Sequence, residues 1–303
     1  MGKLPTMRSD KSEILPYNFK NYFVFIGTER LSDHPNRCMF NHWHDDLEIV
    51  IPIKGHMIYN INGDLIRLEP GKGVFVNSNQ IHYGFSSDDS DCVFIYALWH
   101  PMLLCATNEI ESEYVNPIVK NSSIPYLKLN DQCDWQRSIM GDVQSMHGQL
   151  SERAAPLRLQ SYIYDIWHTI FVNTTQERKR SASASPQLSI LKDMLSYIHD
   201  GYHEKMTLNE IADSGNISIS NCNVIFKKYL KESPIKYLLN YRLMKSSELL
   251  INSAMPITEI AFEVGFSNPS YYIDAFKKAY GYTPNEYRKK HRKADVFDAY
   301  TDN

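Results

Sequence analysis

The phrase FKKYLKESPIKYL, closing at Leu238, returns fifty residues later as FKKAYGYTPNEYR, closing at Arg288. Phe226, Pro234 and Tyr237 are answered by Phe276, Pro284 and Tyr287. A chain that writes one local pattern twice builds one supersecondary unit twice, and that restricts its C-terminal half more than any composition figure. The longer alignment pairs EIADSGNISISNCNVIFKKYLKESPIKY, from Glu210, with EIAFEVGFSNPSYYIDAFKKAYGYTPNEY, from Glu259. Each copy reads as a short helix, a Gly-containing turn, a second helix ending in Phe-Lys-Lys, and an exit at Ser/Thr-Pro-x-x-Tyr. That is two helix-turn-helix units.

The neighbouring pattern is also helical. LSILKDMLSYIHDGY places apolar residues at Leu188, Leu191, Leu195 and Ile198 and stops at Gly201. Thr207 with Glu210 is the spacing of a capping box. SPIKYLLNYRLMKSSELLIN predicts a connecting helix from about 234 to 252, some 28 Å long at ~1.5 Å per residue. That is comparable to the ~34 Å between successive major-groove segments on one face of DNA.

Charge agrees with this division. The whole chain of 303 residues is formally −3, yet residues 188–293 carry 15 Lys+Arg against 11 Asp+Glu, and residues 1–187 carry 17 against 21. Phe226 and Phe276 must point inward, so Lys227, Lys228, Lys277 and Lys278 fall on or beside the outward face, where cations suit phosphates. Ser220, Asn221, Asn223, Asn268 and Ser270 are short polar groups able to meet base edges. An all-helical repeat used for packing or protein contact is the alternative.

The C-terminal hundred residues resemble the AraC/XylS family of transcription regulators, a signature carried by ITEIAFEVGFSNPSYYIDAFKKAYGYTPNEYR. The resemblance implies double-stranded DNA as partner, RNA polymerase contact, and recognition helices at about 219–230 and 268–279. Val224 and Asp274 stand where the family commonly has Arg, so its base preference does not transfer. Lys231 replaces the usual Gly after the first recognition helix, which argues against a left-handed cap there.

Residues 20–99 alternate short apolar runs with Gly, Asn and Pro, as in an antiparallel sandwich or barrel, with a hairpin turn at Asn62-Gly63. HWHDDLEIVIPIKG contains His42, His44 and Glu48, and His82 follows in NSNQIHYG. His-x-His-x3-Glu with a later His resembles the metal-ligand pattern of the cupin barrel. Even numbering places the three on one strand face and Leu47, Ile49 and Ile51 on the other. Cupin-like barrels attached to AraC-type domains serve as effector pockets and dimerisation platforms. The expectation is therefore a small-molecule effector among His42, His44, Glu48, Tyr59, His82 and Tyr96, a sugar or alternatively a small acid. No cofactor or catalytic residue is expected; a metal-binding sensor or enzyme using His42, His44, Glu48 and His82 is the alternative.

From 150 to 172, Leu159, Ile163, Ile166 and Ile170 share a helical face, either packed on the β-domain or forming a homodimer seam. Five scattered cysteines without a CxxC pair point to reduced thiols, and the absence of a signal-length apolar core places the chain in the cytoplasm, away from membranes. The predicted fold class is α+β. An N-terminal cupin-like antiparallel barrel with following helices spans 1–173, and a linker spans 174–187. An all-α DNA-binding domain of two helix-turn-helix units joined by a long helix spans 188–293, and an acidic tail spans 294–303. The function expected is a DNA-binding transcription activator.

Overall fold

The computed structural model describes residues 6–7, 13–174 and 186–291. The expected linker, apart from its helical ends, and the acidic tail lie outside the described residues. Two compact units result: the first holds the chain up to Ser189 together with Lys228–Lys231, at the end of one helix, and the second holds the rest from Ile190.

In the first unit, β1 (Thr6–Met7) and β2 (Glu13–Ile14) pair as a short ribbon. The main strands are β3 (Val24–Arg30), β4 (Leu47–Gly55), β5 (Met57–Ile61), β6 (Asp64–Leu68), β7 (Lys72–Val76), β8 (His82–Phe85), β9 (Cys92–Trp99) and β10 (Tyr126–Asn130). All pairings are antiparallel, in a five-stranded sheet ordered β10-β7-β4-β9-β3 and a three-stranded sheet ordered β6-β5-β8. The strand-rich, antiparallel expectation is met, but hydrogen bonding does not run around a closed barrel. The chain leaves one sheet at Gly55 and enters the other at Met57, so the two sheets face each other instead.

The pleat of β4 organises the packing. Leu47, Ile49 and Ile51 point into a core shared with Phe75, Ile95, Ala97 and Trp99 and with two helices, as their odd numbering predicts. Between β9 and β10, after a 3-10 turn at Pro101–Leu104, a helical stretch holds α1 (Asn108–Ile110) and α2 (Asn116–Val119), joined by a π-helical turn at Glu111–Val115. The covering helices are α3 (Asp134–Gly148), through Ile139, Met140, Val143 and Met146, and α4 (Ala155–Thr174), through Leu159, Ile163, Ile166, Trp167 and Ile170. The periodic face of α4 therefore packs on its own β-domain, each side chain contributing ~1.5–3 kcal/mol by burial. On its outer surface Leu157, Tyr164 and Val172 remain exposed. The other face of β4 carries Val50 into a second core with Met57, Tyr59, Ile61, Ile66, Val74, Val76 and Phe94, between the two sheets. The Asn62-Gly63 hairpin is as predicted, with Asn62 and Gly63 at φ 50° and 93° and Ile61 opposite Asp64.

The second unit is all helical: α5 (Pro186–Gly201), α6 (Leu208–Ser214), α7 (Ile219–Leu230), α8 (Pro234–Asn252), α9 (Ile257–Glu263), α10 (Pro269–Tyr280) and α11 (Pro284–His291). The Thr207–Glu210 capping box forms in both directions. The repeated exit phrase has a physical explanation. Ser233 caps α8 by accepting from the Lys236 amide, Thr283 caps α11 by accepting from the Glu286 amide, and a proline follows each at the first helical position. The tyrosine one turn on meets the phenylalanine edge to face, at 5.9 Å for Phe226–Tyr237 and 5.3 Å for Phe276–Tyr287.

One expectation is overturned. Lys231 does adopt the left-handed conformation after α7, at φ 61°, just as Gly281 does after α10 at φ 74°. Its ammonium donates to the Lys228 carbonyl, helping to satisfy the helix end that a glycine would leave to the backbone alone.

At Gly281 a Cβ meets nothing within 4 Å, so substitution there isolates the backbone cost of a left-handed residue. Gly281→Ala is expected to lower stability by about 1 kcal/mol in urea unfolding, without altering the helical circular dichroism.

Candidate DNA interface and ligand site

Helices α7 and α10 present the same surface. Inward, Cys222, Ile225, Phe226, Tyr229 and Leu230 line α7, while Tyr272 and Phe276 do so on α10. Outward, Ser220, Asn221, Val224, Lys227 and Lys228 are all exposed, and so are Ser270, Tyr271, Asp274, Lys277 and Lys278. These are the same five positions displaced by fifty, at spacings i, i+1, i+4, i+7 and i+8. Such spacing draws one continuous stripe along each helix. A polar N-terminal end and a two-lysine C-terminal end recur on both.

Two expected residues occupy other places. Asn223 is half-buried beside the stripe and donates its side-chain amide to the Ile219 carbonyl at 3.0 Å. Asn268 is exposed but caps α10, its Oδ1 accepting from the amides of Ser270 and Tyr271 at 2.8 and 3.3 Å. Tyr271 was not among the expected residues, although it is 56% exposed and is the counterpart of Asn221. Its signal was available: with Tyr272 and Phe276 inward one turn apart, Tyr271 must turn outward. Phe262 on α9 is likewise exposed.

In the first unit, His42, His44, Glu48 and His82 meet, with one potential ligand atom from each lying within 4.8 Å of all the others. The meeting is not the parity of a single strand. Strand β4 begins only at Leu47; His42 pairs instead with His82 through reciprocal backbone hydrogen bonds of 3.2 and 3.0 Å, beside the end of β8. His44 lies in the crossing between these ladders, and Glu48 projects from the even face of β4 opposite Val76 and Leu98.

The imidazoles are held in a common way. Nδ1 of His42 donates to the Phe40 carbonyl at 2.9 Å, that of His44 to Asp46 at 3.0 Å and that of His82 to Gln80 at 2.8 Å. Since a carbonyl can only accept, each Nδ1 carries a proton, and the Nε2 atoms of His44 and His82 face Glu48. Glu48 Oε2 lies 2.7 Å from His82 Nε2 and 3.5 Å from His44 Nε2. Burial acts to raise the Glu48 carboxyl, but the neighbouring imidazoles of His82 and His44 outweigh it and hold the group below the usual carboxylate range.

Tyr59 joins this group, its hydroxyl donating to Glu48 Oε1 at 3.4 Å and its ring stacked over His82 at 6.1 Å. Tyr96 sits further along, opposite Val50 on β9, with its ring against Phe25 and Phe94.

Truncation at Glu48 removes the one anion among three buried imidazoles. Glu48→Ala is expected to cost about 3–5 kcal/mol in denaturant unfolding. Because the folded carboxyl is depressed from 4.5, its contribution is complete above that pH and is lost as the pH falls below it, so the gap between variant and native protein narrows in acid.

Residues 211–290 match a helix-turn-helix domain family, and residues 25–166 match the AraC-like ligand binding domain family. The chain is 32% identical over 250 residues to the uncharacterized HTH-type transcriptional regulator YdeC of Bacillus subtilis, covering 82% of this chain and 85% of that one. It is 24% identical to the melibiose operon regulatory protein of Escherichia coli, covering 84% and 85%, and 24% identical to the HTH-type transcriptional activator RhaR of Mannheimia succiniciproducens, covering 92% and 98%. These families and relatives are transcription regulators and not enzymes. The chain belongs to the AraC family of DNA-binding transcription regulators and carries a ligand-binding domain ahead of its paired helix-turn-helix units.

Proposed function

We propose that this regulator activates transcription in response to a sugar bound in its N-terminal domain. The observation that carries the DNA half is the stripe repeated at an offset of fifty residues on α7 and α10, each ending in an exposed lysine pair. Lysines at that end suit phosphates, and the polar residues before them suit base edges. Asn221 and Tyr271 are the better base-reading candidates, and Asn223 and Asn268 support the helices that present them.

The sugar reading is supported by the printed role of the melibiose operon relative and by a cluster of three imidazoles, a carboxylate and Tyr59, donors and acceptors that suit hydroxyl groups. Activation is supported by the RhaR relative and implies contact with RNA polymerase. A homodimer is supported by the exposed Leu157, Tyr164 and Val172 of α4, which a second copy would cover. Among the described residues no helix is long and apolar enough to cross a membrane, in keeping with action in the cytoplasm. Residues 1–173 sense and dimerise in this reading, and 188–293 bind DNA. Effector binding favours one arrangement of the DNA-binding units over another.

Footprinting on DNA upstream of the gene, across a salt series and with a panel of sugars that includes melibiose, tests this reading. A protected pair of half-sites that changes with one sugar is expected; protection indifferent to every sugar ends the sugar assignment, and no protection ends the operator assignment. Lys277→Ala is expected to weaken binding to all sequences and to reduce the salt slope by about 1, whereas Tyr271→Ala changes preference at one position. An unchanged slope in the first variant removes Lys277 from the phosphate contacts.

A further inference from the structure

The four groups in the first unit are close enough together to share one small cation. His42, His44, Glu48 and His82 are 8%, 1%, 4% and 1% exposed, and their ligand atoms lie within 4.8 Å of one another. We propose that these four residues form a binding site for one divalent transition-metal ion. The ion's part in sensing rests on the effector reading above; the site itself does not.

Three features support it. Nitrogen and oxygen ligands stand about 2.0–2.2 Å from a metal of this kind, so any two of them lie roughly 3–4 Å apart. The observed separations, from 2.7 Å for Glu48–His82 upward to 4.8 Å, bracket that range. Next, all three imidazoles are fixed by Nδ1 donation to a backbone carbonyl, the outer support that sets a ligating tautomer and aims Nε2. Finally, the buried Nε2 atoms of His82 and His44 converge on one carboxylate oxygen, Glu48 Oε2, at 2.7 and 3.5 Å, so nitrogen and oxygen donors meet at a single point closed off from water.

The donor set narrows the ion. Three imidazole nitrogens with one carboxylate oxygen favour manganese, iron, cobalt, nickel or zinc over magnesium or calcium, and no thiolate is present to select a softer ion. Four protein ligands leave two positions on a six-coordinate ion. Those positions suit the paired oxygens of a vicinal diol, which would give the sensor its grip on a sugar.

The test uses the full-length protein, stripped with a chelator and titrated with Co2+ while its visible d–d absorption and thermal unfolding are followed. Saturation at one ion per chain, no thiolate charge-transfer band and a higher melting temperature are expected. His44→Gln and His82→Gln should each weaken binding at least about tenfold while the far-UV circular dichroism is retained. The absence of saturable bands, bands with thiolate character, or unchanged titrations in folded variants overturns the proposal. Should the variants unfold, the Cu2+ complex of the native protein decides by electron paramagnetic resonance: coupling to three imidazole nitrogens supports the site, and fewer than three overturns it. DNA binding by the stripped protein is measured alongside. A protein that binds its operator but no metal loses only this site, whereas one that binds metal but no operator loses the reading as a regulator.

Discussion

From Leu47 to Pro52 strand β4 is buried on both faces, and most of the first unit follows from that. Its odd side chains close the core against α3 and α4, and its even side chains face the second sheet. A carboxylate on the even face cannot reach water, so Glu48 is tolerable only if other groups come to it. The reciprocal pairing of His42 with His82, and the crossing that carries His44, bring them. The polar cluster is thus a condition of the strand's placement as much as an addition to it.

The second unit rests on a smaller device used twice. A capping hydroxyl, a proline and a tyrosine one turn later lock the start of a helix onto the phenylalanine in the last turns of the previous one. The phenylalanine's burial fixes the rotation of α7 and α10, and rotation decides which residues reach the surface. The lysine pairs are exposed because Phe226 and Phe276 are not.

Much of this was legible in the sequence because it is local. The bounds of α7, α8 and α10, the hairpin at Asn62-Gly63 and the inward face of β4 all follow from short-range periodicity and turn chemistry. What escaped depends on tertiary pairing or on local substitutes. The histidines converge through the bridge between His42 and His82 and not through strand parity, a long-range pairing that no spacing rule contains. Backbone preference alone disfavours Lys231 in a left-handed cap; the side chain's reach to the Lys228 carbonyl offsets it. Tyr271 departs from the tendency of aromatic residues in a helical unit to join the core, being exposed while Tyr272 beside it is buried.

The two exposed stripes share their positions but not their residues: Asn221 and Val224 on one helix stand where Tyr271 and Asp274 stand on the other. A DNA segment that touches both therefore has distinguishable ends. The repeated shape thus carries two different chemistries, and under the proposed reading a site that meets both helices is read with a direction.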